Sequence, residues 1–201
     1  MPESVEELYA RVMAAADQGR LPAPELTQWD IFPWEAVDGE VAPKRVAPPA
    51  PEEPRAGEGE RPCRSCAGDE GVIWEDELWR VKHLRQGGLP LVVVLETKEH
   101  LDFGELDDEL ASQFGRISVR LARIMEGLPG IGRVHVNRWG DGGAHFHVWY
   151  LARPAGLPQL RGSFLPVWDD ILPPGPEDVW KADLAHVARK LATHGGEVRV
   201  P

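Results

Sequence analysis

The chain has 201 residues, 42% of them hydrophobic, which suffices for one ordinary domain with a core plus an extension. Its formal net charge is −11, and residues 1–60 hold 5 basic against 13 acidic side chains, so the acid sits in the leader and the rest is near neutral. That balance speaks against nucleic acid or an anionic membrane as partner and leaves small phosphorylated ligands open. No run approaches the apolar length of a membrane span, about 20 residues.

The first residues, MPESVEELYA, lack the basic and apolar regions of a signal peptide, so a cytoplasmic protein is expected. "SVEELYARVMAAADQG" predicts a helix: Ser4 and Glu7 have capping-box spacing, Val5, Leu8 and Val12 form a stripe, and Gly19 ends it. An irregular stretch follows, with Trp29, Phe32 and Trp34 as anchors onto the main body. "VAPPAPEEPRAGEGERP" reads as an extended connector. The expected division is an acidic, Pro-rich leader over residues 1–60 and a main domain over 61–201.

Cys63 and Cys66 are the only cysteines, and their CxxC spacing in a cytosolic context is a metal half-site or a redox pair. Beyond them "GVIWED" and "LWRVKHL" read as two strands joined at Glu77. The continuous apolar run "LPLVVVLET" reads as a sheet strand covered on both faces. Leu106, Leu110, Phe114, Ile117, Leu121 and Ile124 keep a helical period, with Asp102 and Glu105 suited to the N-terminus and Gly127 to the end. "GRVHVNRW" and "AHFHVWYLAR" are strands around "GDGG", a hairpin-type turn. A last helix starts near Pro176, carries the stripe Trp180, Leu184, Val187 and Leu191, and stops before Gly195. This order predicts an α+β fold with an antiparallel sheet.

On a strand, residues two apart face the same way, so His145, His147 and Trp149 share one face while Phe146, Val148 and Tyr150 line the other. Two such histidines stand about 6–7 Å apart along the strand, too far to serve easily as paired ligands on one zinc. Different jobs for the two are therefore expected.

"HFHVWYLARP" resembles the signature of the histidine-triad (HIT) family, His-φ-His-φ-His-φ-φ. The resemblance runs back through "CRSC", "VIWEDELWRV", "LPLVVVLETKEHLDFGELDDEL" and "VHVNRWGDGG" in the family's order, and covers roughly residues 61–154. It is nearest to the zinc-bearing members and the galactose-1-phosphate uridylyltransferase-like branch. It implies a curved antiparallel sheet of about five strands with a long helix, to which this chain adds helical extensions at both ends. It also implies a Cys2His2 zinc site of Cys63, Cys66, His100 and His145, a complement with no open catalytic position. By the same resemblance His147 is the nucleophile that attacks the α-phosphorus of a nucleotide, giving a covalent nucleotidyl-histidine. Its other nitrogen would be oriented by a backbone carbonyl, and the Gly142–Gly143 turn would aim N–H groups at phosphate oxygens. A homodimer through the long helix and the sheet edge is implied too.

Three positions depart from the family's pattern. Trp149 stands where hydrolases have His and the transferase branch has Gln. Pro90-Leu91-Val92 replaces the hydrolases' Pro-Gly-His, and Asp141 replaces a polar amide or hydroxyl. These departures favour a catalytically degenerate binding module that keeps the zinc, whereas an intact His147 favours a nucleotide-phosphate hydrolase or nucleotidyltransferase. A CxxC redox protein is a third reading, weakened by the matching His100 and His145. Substrate contacts are expected from Asn137, Asp141, Gly142, Gly143, Trp149 and Arg153, with His135 beside them. Arg161 reads as a solvated loop residue, and His83, His186 and His194 as structural. Trp29, Trp34, Trp168 and Trp180 are expected to pack the extensions onto the core.

Overall fold

In the computed structural model, which describes residues 3–199, the apolar run becomes strand Leu91–Thr97, buried at every position. It is the third strand of a six-stranded sheet. Naming the elements in chain order, a separate hairpin comprises β1 (Trp34–Val37) and β2 (Glu40–Pro43). The main sheet comprises β3 (Val72–Glu75), β4 (Trp79–His83), β5 (Leu91–Thr97), β6 (Ile131–Asn137), β7 (His147–Pro154) and the two-residue β8 (Glu197–Val198). Its order is β6-β7-β5-β4-β3-β8, and every neighbouring pair is antiparallel. The helices are α1 (Val5–Ala14), α2 (Asp108–Glu126), α3 (Leu165–Ile171) and α4 (Glu177–Ala192). The α+β class and the five expected strands are present, with β8 as a short addition at one edge. Among the described residues no helix is long and apolar enough to cross a membrane.

The alternation of β5 explains why both its faces are covered. Leu91, Val93 and Leu95 join Trp79, Val81, Phe146, Val148 and Tyr150 against Ile117, Leu121 and Met125 of α2 and Leu184, Val187 and Leu191 of α4. Each such side chain contributes about 1.5–3 kcal/mol on full burial. Val92, on the opposite face, packs with Leu151, Leu160, Leu165 and Leu172 under the carboxy-terminal segment, and Val12 of α1 closes over them. That second layer covers only one end of the face. The other end, around Val94 and Glu96, stays open as a cleft.

Several local features differ from the sequence reading. The Ser4–Glu7 capping box is formed, but α1 ends at Ala14, and Gly19 turns the chain in the Asp17–Arg20 bend instead. Asp102 and Glu105 cap a single 3-10 turn, Phe103–Glu105, while Asp107 caps α2 by accepting from the Leu110 N–H. The leader forms the β1–β2 hairpin, whose Asp38 and Gly39 both take positive φ, as a two-residue type I′ connection requires. Trp34 lies 5.5 Å from Phe164 and is half-buried, whereas Trp29 is exposed and anchors nothing. Trp168 packs in the second layer, and Trp180 meets the His83 ring edge-on at 5.1 Å.

Candidate metal centre and cleft

The segment between β6 and β7 is wider than a hairpin turn. Asn137 and Trp149 are the last paired residues of the two strands, so residues 138–148 form a loop with respect to β6. The leader props it open. The Ala56 N–H donates to the Gly142 carbonyl at 3.3 Å, and the Ala144 N–H donates to the Ala56 carbonyl at 3.0 Å. Phe146 N–H is drawn to the Leu101 carbonyl. These bonds keep His145 off the strand, which begins only at His147. The expectation that His145 lies on the strand is thereby corrected, although it still borders the same cleft as His147 and Trp149.

Cys63, Cys66, His100 and His145 converge, with their ligand atoms all within 4.8 Å of one another. Cys63 Sγ lies 3.5 Å from His145 Nδ1, and Cys66 Sγ lies 3.4 Å from both His100 Nδ1 and His145 Nδ1. A tetrahedral zinc with Zn–S of about 2.3 Å and Zn–N of about 2.0–2.1 Å sets S and N about 3.5 Å apart, so the donor spacing fits this ion. His145 Nε2 is 2.7 Å from the Thr97 carbonyl, which can only accept. The proton therefore sits on Nε2, and Nδ1 presents its lone pair to the thiols, an orientation that suits ligation. Burial holds the His145 imidazole below its ordinary value against the opposing pull of the Thr97 carbonyl, which keeps it neutral. Desolvation and the adjacent Cys63 push the Cys66 thiol up to about 11, so it holds its proton at neutral pH and a bound cation would have to displace it. Gly57 of the leader closes the back of the site. A Cβ there would stand 2.6 Å from His100 Cε1, and its φ of +93° suits glycine alone.

The turn carrying the cysteines is fastened from below. Ser65 Oγ donates to Glu96 at 2.8 Å, Arg80 donates to the Ser65 carbonyl, and Arg80 Nε meets the other Glu96 oxygen at 2.6 Å. Arg80 also pairs with Asp69 at 2.9 Å. On the other flank, Arg55 joins Glu58, Asp102 and the Gly140 carbonyl, linking leader, His100–Asp102 segment and loop. Burial pulls the Asp102 carboxyl upward, but the Phe103 N–H, Arg55 and Arg138 outweigh it and hold it below the usual range.

The cleft floor follows from strand register. His147 stands opposite Glu96, which stands opposite Arg80. One step along, Trp149 stands opposite Val94, which stands opposite Lys82. The opening is about 480 Å³, lined by His147, Trp149, Val94, Glu96 and Lys82 with Arg64, Trp139, Gly142, Gly143 and Ala56. His147 Nδ1 is 2.7 Å from the His145 carbonyl. Because a carbonyl only accepts, Nδ1 carries the proton and Nε2 keeps an in-plane lone pair. Trp149 meets Trp139 edge-on at 5.7 Å, and its indole N–H is buried without a hydrogen-bond partner.

Of the side chains expected to contact substrate, Gly142, Gly143 and Trp149 line the cleft, and Asn137 pairs across from Trp149 at its margin. Asp141 is exposed and outside the lining. Arg153 also lies away from it and donates to the Pro154 and Leu157 carbonyls, closing the loop after β7. His135 sits opposite Leu151, its imidazole held low by burial and by Arg153. Arg161 is exposed, as expected of a loop arginine. The reading from sequence missed Ala56, Gly57, Arg64, Lys82 and Glu96. Alternation along β4 and β5 does place Lys82 and Glu96 on the His147 face, but only once the strand register is known.

No family model matches the sequence, and no curated protein matches it. Solved structures do. One is a histidine triad protein from Marinobacter aquaeolei VT8, 22% identical over 61% of this chain and 90% of that one, with a TM-score of 0.48. Another is a hypothetical histidine triad nucleotide-binding protein from Sulfolobus tokodaii strain7, 14% identical over 65% and 93% of the two chains, with a TM-score of 0.47. A third is a Zn-bound histidine triad family protein from Mycobacterium smegmatis, 18% identical over 61% and 86%, with a TM-score of 0.45.

Proposed function

We propose that the chain is a zinc-stabilised nucleotide-phosphate hydrolase or nucleotidyltransferase of the histidine-triad type, with His147 as nucleophile. The single observation that carries this reading is the His147 Nδ1 bond to the His145 carbonyl, which leaves Nε2 unprotonated in the cleft. Nε2 attacks the phosphorus of a nucleotide, forming a P–N bond as the P–O bond to the leaving group breaks. The leaving oxygen takes the electron pair and a proton from solvent. Water, which gives up a proton to solvent, or a second phosphate oxygen then attacks the phosphorus, and the P–N pair returns to Nε2. The Nδ1–H···O=C bond holds the ring while it carries positive charge. Gly142 and Gly143 offer backbone N–H groups to the phosphate oxygens. Zinc on Cys63, Cys66, His100 and His145 supplies cross-linking, and a reducing cytoplasm keeps those thiols free for it.

Trp149 favours a second reading. Its N–H is turned to a buried position with no partner, so it offers no donor to a phosphate where His or Gln would. A binding module with the same pocket follows if that loss is decisive. Labelled dinucleotides, nucleoside phosphoramidates and nucleotide-sugars distinguish the two. The enzyme reading expects acid-labile label on the protein, lost in His147→Ala. Label retained in that variant excludes His147 as nucleophile, and absence of label and turnover with all three leaves the binding module. A homodimer is part of the proposal, formed by the β6 edge and the outer face of α2, where Val119 is exposed. Sedimentation at micromolar concentration should give twice the chain mass, and a monomer would remove this part.

A further inference from the structure

The charges below the Cys-x-x-Cys turn are balanced: Arg80 and Lys82 stand against Glu96 and Asp69, at 2.6–3.7 Å. Arg64 is the exception. It lies between the two metal-ligating cysteines, lines the cleft, and forms no ion pair or side-chain hydrogen bond among the described residues. In a protein of net charge −11, whose long-range field repels anions, the cleft lining carries Arg64 and Lys82 against Glu96 alone. An unpaired guanidinium lining the same cleft as His147 is poised for bidentate contact with a phosphoryl group.

We propose that Arg64 is the anion-binding residue of the cleft, gripping a phosphoryl group that lies across β5 from His147, and that the metal-bearing turn stations it there. The proposal rests on the reading of the cleft as a phosphate site. The register supplies the geometry. His147 is on β7, and the turn stands over β4 and β5 through Ser65, Glu96 and Arg80, so nucleophile and guanidinium occupy opposite sides of the opening. Tryptophans 139 and 149 wall the β6–β7 side, leaving the β4 side for charge. The turn is held by its cysteines at the metal site, by Ser65 Oγ at Glu96 and by Arg80 at the Ser65 carbonyl, so little order remains to be acquired when the anion arrives.

Calorimetric titration with inorganic pyrophosphate tests this without any turnover. The full chain, as purified with its metal, should bind it. Arg64→Ala should weaken binding at least tenfold at unchanged metal content and melting temperature, and Arg64→Lys should recover part of the loss. Ser65→Ala, which removes the Glu96 tether but keeps every metal ligand, should fall between. Removing the metal by chelation should weaken the wild type and add little in Arg64→Ala. Unchanged pyrophosphate affinity in Arg64→Ala, or no binding by the wild type at millimolar concentration, overturns the proposal. Arg64-dependent binding without label on His147 would sustain it while removing the catalytic reading.

Discussion

His145 and His147 are two residues apart and chemically opposite. His145 donates from Nε2 to the Thr97 carbonyl and faces the thiols with Nδ1, whereas His147 donates from Nδ1 to the His145 carbonyl and faces the cleft with Nε2. One backbone carbonyl at each ring decides the tautomer, and the tautomer decides which ring nitrogen is left free. Gly57 is the residue against which His100 rests, so Gly57→Ala combines backbone strain with a collision at 2.6 Å. It should lower zinc affinity about 10–100-fold, the usual cost of disturbing a ligand's support, as measured by chelator competition. Asp183 on α4 offers a pH test. Burial raises its carboxyl above the ordinary range, and His186 only partly opposes this. The folded state therefore holds the Asp183 proton more tightly than the unfolded chain, and stability falls as pH rises from the ordinary aspartate range through the raised value. Asp183→Asn should melt higher than wild type at pH 7, with the gain shrinking below about pH 4. A gain that is the same at both pH values would contradict this.

At the scale of elements, what was legible in the sequence was whatever repeats with a period. β5 was readable as a doubly covered strand because its apolar run is unbroken, and α4 because Leu184, Val187 and Leu191 recur at helical spacing. Leu184 is essentially inaccessible, and Leu184→Ala should cost about 2–5 kcal/mol in urea denaturation. The metal set was legible only through the resemblance to the histidine-triad pattern, since Cys63, Cys66, His100 and His145 lie far apart in the chain and no local rule joins them. Non-periodic contacts stayed hidden. Nothing in "EEPRAGEGE" announces that Ala56 pairs with Gly143 or that Arg55 reaches Asp102 and Gly140, because those bonds are made by backbone carbonyls and a single guanidinium across long sequence separations. The wide 138–148 loop was misread as a tight turn for the same reason. The β1–β2 hairpin had a signal, Asp38-Gly39, that the polar surroundings obscured.

Over the whole molecule, a metal on these four ligands ties three segments together: the turn after the leader, the end of β5 and the entry to β7. A ligand that binds only the folded state stabilises it by about 4 kcal/mol at a thousandfold excess over its dissociation constant, so chelation should lower the melting temperature by several degrees, reversibly on zinc return. No change on chelation would mean that the hydrogen bonds of Ser65, Thr97 and Arg55 suffice to hold the fold. Zinc content by elemental analysis of purified His145→Ala and His147→Ala tests the division between the two histidines. One zinc per chain in the wild type and in His147→Ala, with loss in His145→Ala, is the predicted result. Zinc kept in folded His145→Ala, or lost from His147→Ala, would contradict it.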